Sequence, residues 1–266
     1  VALSGDEAAR YARHIVLKDM GGTGQQKLKN ARVLIVGAGG LGAPVIAYLA
    51  AAGIGTLGVV DPDKVSLSNL QRQIIHGDDT IGSAKTKSAQ DFVARINPFV
   101  RYLNHQIKLD ARNAGRIIAD YDLVVEGTDD FASKQVVSQA CEAAKIPLVT
   151  GALGPFDGTL TVLMPYARNA LGQDNPRFSD LYPVAPDPKD SPPCEIAGVL
   201  NVLPGIIGTM MANEALKLIA GYGAPLVGKL LVYSARTGES HILDYRREGE
   251  NPSASSKAAN KASSDQ

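Results

Sequence analysis

Between Val33 and Gly42 the chain reads VLIVGAGGLG, and this turn constrains the fold more than any other stretch. VLIV is a short apolar run suited to a buried parallel strand. Gly37, Gly39 and Gly42 keep the GxGxxG spacing, with Gly40 between them, and the alanine-rich segment from Ala43 to Ala52 supplies a helix. Glycines let the backbone approach a phosphate closely, and the helix N-terminus beyond them presents unpaired N–H groups to an anion. A second apolar run, Leu57 to Val60, predicts the next strand. Asp61 closes it, where a carboxylate can accept from ribose hydroxyls. Strand, turn, helix and strand in this order imply an α/β nucleotide-binding core. By itself the fingerprint fits any mononucleotide or dinucleotide enzyme.

The following residues narrow the field. VVDPD and SLSNLQRQ lie between Val59 and Gln73 and bring Asp63, Asn69, Arg72 and Gln73; Lys85 follows near the start of a helix. Asp129 stands in GTDD, directly after a strand predicted at Leu123 to Val125. A hydride-transferring enzyme has no evident use for such a cation cluster, whereas triphosphate chemistry does. Arg72 and Lys85 can neutralise phosphoryl oxygens, and Asp129 can hold Mg²⁺. Each residue also has a plainer explanation: Lys85 as a solvated helix residue, Arg72 as a surface ion-pair partner, Asp129 as a helix cap.

At these residues the chain resembles the bacterial adenylyltransferases that activate sulfur-carrier proteins, relatives of the ubiquitin-activating enzymes. The resemblance runs through RYARHIVL (Arg10 to Leu17), GAGGLG, DPDKVSLSNLQRQ, GSAKTKSA, GTDD, PPCEIAGV and EALKLIAGYG (Glu214 to Gly223), nearly the whole chain except its tail. It is closest to the molybdopterin-synthase branch, then to the thiamine-biosynthesis branch. The resemblance implies a Rossmann-like core whose glycines, with Asp61, Asp63, Asn69, Arg72, Gln73 and Lys85, hold ATP. It further implies Mg²⁺ at Asp129 and a homodimer in which Arg13 reaches into the partner's site. The implied partners are a ubiquitin-like sulfur carrier and a sulfur donor protein, and the implied reaction adenylylates the carrier's C-terminal carboxylate.

From Pro165 to Pro193 the sequence is rich in proline, polar residues and turn signals, which predicts a long loop. The resemblance makes 165–194 a segment crossing over the carrier's tail. Cys194 ends it at the position of the family's characteristic cysteine. A free thiol titrates near about 8.5, and the adjacent Glu195 does not help to ionise it, so a bystander role stays as open as a thioester or sulfur-transfer role.

Two departures from the family stand out. Many members bind structural zinc through two CxxC pairs, but this sequence contains two cysteines in all, Cys141 and Cys194, so no four-cysteine site can form from it and no zinc is expected. Where the first pair would fall it reads RFSDLYP. Asp130 stands where relatives usually carry asparagine, adding negative charge beside the metal position.

Composition agrees with one catalytic domain over 1–248. With 266 residues, 45% of them hydrophobic, and a formal net charge of zero, the chain can bury a full core and offers no electrostatic case for nucleic acid or an anionic membrane. Few cysteines and no signal-like N-terminus predict the cytoplasm. Val33 to Val60 is free of charge, but its glycines and Pro44 break it into strand, turn, helix and strand rather than a membrane span.

Ala89, Phe92, Val93 and Ile96 recur at helical spacing and predict an amphipathic helix over 83–96. Further strands are predicted at Leu148 to Thr150, Thr159 to Met164, Lys229 to Tyr233 and His241 to Asp244. The late strands lack βαβ spacing, so antiparallel strands should extend a parallel sheet. Pro204 to Leu218 predicts a buried helix, and 249–266, almost without large apolar residues, predicts a disordered tail. His14, His76, His105 and His241 lack ligand spacing and are read as ordinary surface or core histidines. Two other functions remain open: a nicotinamide or flavin oxidoreductase, and a noncatalytic scaffold that binds nucleotide or carrier.

Overall fold

The computed structural model describes residues 2–185 and 197–247. Cys194, part of the 165–194 loop and the tail 249–266 lie outside the described residues. The helices are α1 (Gly5–Arg10), α2 (Ala12–Ile15), α3 (Gly21–Asn30), α4 (Gly42–Ala52), α5 (Lys85–Ile96), α6 (Ala114–Ile118), α7 (Phe131–Ala144), α8 (Phe178–Leu181) and α9 (Val202–Ala220). The strands are β1 (Arg32–Val36), β2 (Thr56–Val60), β3 (Arg101–His105), β4 (Leu123–Glu126), β5 (Leu148–Leu153), β6 (Asp157–Leu163), β7 (Lys229–Ser234) and β8 (Ser240–Asp244).

These strands form one eight-stranded sheet in the order β3-β2-β1-β4-β5-β6-β7-β8. The first five run parallel, and β6, β7 and β8 are added antiparallel, as the spacing of the late strands predicts. The strand order turns back at β1, between β2 and β4. In open parallel sheets this reversal leaves a crevice at the carboxyl ends of the strands.

Side chains alternate across each strand, so β1 supplies both core faces. Val33 and Ile35 pack with α3, α4, α5 and α9, while Leu34 and Val36 pack with α6 and α7. The stretch 33–60 is therefore strand, turn, helix and strand, with α4 nearly encased. Gly53, at φ 83°, stops α4 in the left-handed conformation. Among the described residues, α9 is long and apolar enough to cross a membrane by length and composition. It packs instead on α3, α4, β5 and β6, and its Leu203, Ile207 and Met211 are fully buried in the shared core.

The N-terminal helices are pinned to α4. Tyr11 breaks α1 from α2 and fits against Gly53, where a Cβ would stand 2.4 Å from its ring. Asn97 Nδ2 donates both to Tyr11 Oη and to the Ala50 carbonyl, each at 2.8 Å. Gln25 Nε2 donates to the Ala52 carbonyl at 2.7 Å. Arg13 is thus carried by a segment with defined attachment.

The described part of the 165–194 stretch is more ordered than its composition suggests. It contains α8, whose Phe178 packs with Tyr182 and with Phe131 at the start of α7, at ring-centroid distances of 5.1 and 5.4 Å. Polar ties add to this: Arg177 Nε donates to Glu142 at 2.8 Å, and Arg247 donates to Asp174 at 2.8 Å. Packing by three spaced aromatics needs no sequence periodicity, so no pattern announces it.

Candidate active site

A cavity of about 430 Å³ opens where β1, β2, β4 and β5 end. Its size falls within the range of small-molecule sites, about 300–1,000 Å³. Gly37, Gly39, Gly40, Asp61, Asp63, Asn69, Arg72, Gln73, Lys85 and Asp129, spread over more than ninety positions of sequence, all line it. Gly42 does not. It is the first residue of α4, and a Cβ there would lie 1.8 Å from the Gly37 carbonyl oxygen, so its lack of a side chain lets the turn close onto the helix. Gly37 has φ 95°, a left-handed conformation that favours glycine.

Asp61 follows β2 and is buried. One carboxylate oxygen accepts from the Ala38 N–H and the other from the Asp63 N–H, each at 2.8 Å. The carboxylate therefore braces the glycine turn against the second strand. Burial pushes its pKa above the usual carboxylate value, against the opposing pull of Lys85 and of the two N–H donors.

Lys85 is the first residue of α5, the end of a helix where a cation is least favourable. Its Nζ donates to Asp63 Oδ2 at 3.0 Å, and its side chain is 9% exposed against 63% for Asp63. A nearly buried ammonium whose hydrogen-bonded acid is solvent-facing suits an anion arriving in the cavity. Asp63 thereby acts on Lys85 as well as facing the cavity.

Asn69 and Gln73 are buried and joined by a backbone bond, Gln73 N–H to Asn69 C=O at 3.0 Å, in the single turn their spacing suggests. Arg72 stands between them. Its Nη1 donates to the Ser68 carbonyl at 3.0 Å, and it has no carboxylate partner among the described residues. The buried Gln73 Oε1 has no hydrogen-bond partner among the described residues. Buried polar atoms are rarely left unmet, and Gln73 lines the cavity, so its amide is a candidate contact for a polar ligand.

The cap of α7 is Asp130, not Asp129: Asp130 Oδ1 accepts from the Ser133 N–H at 2.8 Å. Asp130 is thus partly engaged in helix capping, and Asp129 is left exposed at the cavity without a partner among the described residues. No group of three or more His, Cys, Asp or Glu placed to hold a metal occurs among them. One carboxylate completed by phosphate oxygens and water is the donor set Mg²⁺ usually takes beside a nucleotide, and Asp129 fits it.

Other lining residues escape sequence inspection. Ile107, Lys108 and Leu109 come from the loop after β3, and Phe131, Lys134 and Tyr182 from α7 and the segment after α8. Beneath them Lys134 pairs with the fully buried Glu126. The available signal is a carboxylate ending the otherwise apolar strand LVVE. Of the histidines, His14 contacts Gln25, His76 contacts Ser88 and Ala38, His105 contacts Tyr121, and His241 is exposed. Arg13 is exposed, does not line this cavity and has no partner among the described residues.

The profile of the ThiF family matches residues 11–255. The chain is 44% identical over 251 residues to the probable adenylyltransferase/sulfurtransferase MoeZ of Mycobacterium tuberculosis, covering 94% of this chain and 63% of MoeZ. It is 42% identical to the SAMP-activating enzyme E1 of Haloferax volcanii, covering 92% of this chain and 88% of that protein. It is 41% identical to the sulfur carrier protein adenylyltransferase of Thermus thermophilus, covering 91% and 89%. Among solved structures, PaaA superposes with a TM-score of 0.76 at 24% identity over 92% of this chain and 76% of that one. E. coli MccB with ATP superposes with a TM-score of 0.73 at 20% identity over 85% and 67%. At those identities the two structures show the shared fold.

Proposed function

This chain belongs to the ThiF family, and from that premise we propose that it is an ATP-dependent adenylyltransferase acting on the C-terminal carboxylate of a ubiquitin-like sulfur carrier. The observation that carries this is the meeting of Arg72, Lys85 and the exposed Asp129 in one cavity at the turning point of the sheet.

An α-carboxyl titrates at about 3.3–3.7, so the carrier's terminus is already ionised at neutral pH and no general base is required. Its oxygen attacks the α-phosphorus of ATP while the bond to the bridging oxygen breaks and pyrophosphate leaves. The site must bring anions together and stabilise charge growing on the phosphates. Glycines 37, 39 and 40 admit the phosphates, Asp61 faces the ribose, and Arg72 and Lys85 meet the phosphoryl oxygens. Mg²⁺ at Asp129 would supply further neutralisation of the phosphates. Arg13, exposed and without a partner among the described residues, would enter the site of a second copy in a homodimer.

On the sequence resemblance, the small subunit of molybdopterin synthase is the first carrier to test and the thiamine carrier the second. A sulfur donor would consume the acyl-adenylate, and the proposed setting is the cytoplasm. Cys194 is retained as a candidate for covalent chemistry. The function is tested by whether labelled pyrophosphate enters ATP only when a carrier is present; the scaffold alternative requires ATP or carrier binding without exchange.

A further inference from the structure

Glu126 ends β4 and is 0% exposed, beside β1 at the turning point of the sheet. A carboxylate there is costly unless its oxygens are met. Oε1 accepts from the Thr128 N–H at 2.6 Å and from the Thr128 hydroxyl, and Oε2 accepts from the Thr150 hydroxyl at 2.7 Å. The Lys134 ammonium donates to Oε1 at 3.2 Å and to Oε2 at 2.8 Å, and also to the Gly151 carbonyl at 2.6 Å. One buried ion pair therefore ties together the end of β4, the middle of β5, the first turn of α7 and the turn at 127–129.

A buried ion pair is weak evidence for stability, because well-packed apolar side chains fill the same space without desolvating two charges. Apolar side chains could not draw in both the N–H and the hydroxyl of Thr128. With those donors turned inward, the next residue, Asp129, is left exposed at the cavity without a partner of its own among the described residues. Lys134 compensates the buried charge and anchors the same carboxylate to β5, whose Ala152 and Leu153 form another wall.

We propose that Glu126 is a positioning residue: held by Lys134 and Thr150, it fixes the Thr128 turn so that Asp129 presents its carboxylate to a divalent cation on the nucleotide's phosphates. This role rests on the adenylyltransferase function proposed above. Groups that orient metal ligands typically contribute about 10–100-fold in metal affinity or activity.

The test is ATP binding to the full chain by titration calorimetry, in Mg²⁺ and in EDTA, without any carrier, together with thermal melting. In the unsubstituted chain Mg²⁺ should tighten ATP binding. Glu126→Gln should lower that enhancement by about tenfold while ATP affinity in EDTA changes by less than about twofold. Thr128→Val removes the hydroxyl link and leaves the ion pair in place, so it keeps the test available if Glu126→Gln fails to fold. It should lower the enhancement in the same direction, by less than Glu126→Gln does.

A folded Glu126→Gln or Thr128→Val chain with the full Mg²⁺ enhancement overturns the positioning role alone. So does a loss of affinity equal in Mg²⁺ and EDTA, which marks a merely structural role. An unsubstituted chain that binds no ATP, or binds it without regard to Mg²⁺, overturns the functional proposal and this one with it.

Discussion

His76 lies against the glycine turn, and its surroundings fix its protonation. Nε2 is 3.0 Å from the Ala38 carbonyl, which can only accept, so Nε2 carries the proton and Nδ1, at 2.8 Å from Ser88 Oγ, accepts. Burial pushes its pKa below the usual histidine value; the Ala38 carbonyl opposes this, Lys85 reinforces it and Asp61 opposes it. The unfolded chain therefore takes up a proton near pH 6.5 that the folded chain resists. The stabilisation from neutral His76 is full above about pH 6.5 and is lost as pH falls toward its lowered folded value. His76→Gln should melt below the unsubstituted chain at about pH 7.5, and the gap should narrow by about pH 5.5. A gap of constant size across that range would contradict the assignment. At this scale sequence reveals the group but not its partners: nothing near GDDT or TKSAQ indicates that Ser88 and Ala38 converge on one imidazole.

Helix α9 carries two glycines with opposite expectations. Where a Cβ would stand at Gly205 nothing lies within 4 Å, whereas at Gly208 it would lie 2.4 Å from Pro44 Cγ and 2.5 Å from the Leu41 carbonyl oxygen. Gly205→Ala should stabilise the chain by about 0.5–1 kcal/mol by favouring the helix. Gly208→Ala should destabilise it by about 1–3 kcal/mol, because α9 must move off α4, and denaturant midpoints for the two variants check both signs. Strongly apolar or strongly periodic elements are legible in sequence: α4, α5, α9 and the central strands fall within a few residues of expectation. The edge strand β3, RYLNH, is not. Among the described residues it pairs only with β2, its burial is mixed, and without a continuous apolar face its sequence resembles a loop. The loop after it contributes Ile107, Lys108 and Leu109 to the cavity, so missing the strand also hides part of the site.

For the whole molecule, the gathering of Asp61, Asn69, Arg72, Lys85 and Asp129 in one cavity is legible because the family spacing places them near the carboxyl ends of a parallel sheet, where the topology brings them together. The Glu126–Lys134 pair is not, because its meaning depends on hydrogen bonds between neighbouring strands and a helix. Arg13 belongs to a still larger scale, being exposed and without a partner among the described residues. If it completes a partner's site, Arg13→Ala and Lys85→Ala should each be nearly inactive alone. Mixed with subunit exchange, they should recover about a quarter of the unsubstituted activity, since each mixed dimer contains one complete site. Failure to recover activity after confirmed exchange would place Arg13 elsewhere.

The most direct measurement is exchange of labelled pyrophosphate into ATP with Mg²⁺, with and without carriers ending in Gly-Gly, for the unsubstituted chain, Arg72→Ala and Lys85→Ala. Exchange that requires one carrier and falls by at least about a hundredfold in both variants is the predicted result. Exchange with no carrier tested, or exchange that persists at full rate without Arg72 and Lys85, would contradict adenylylation at this cavity.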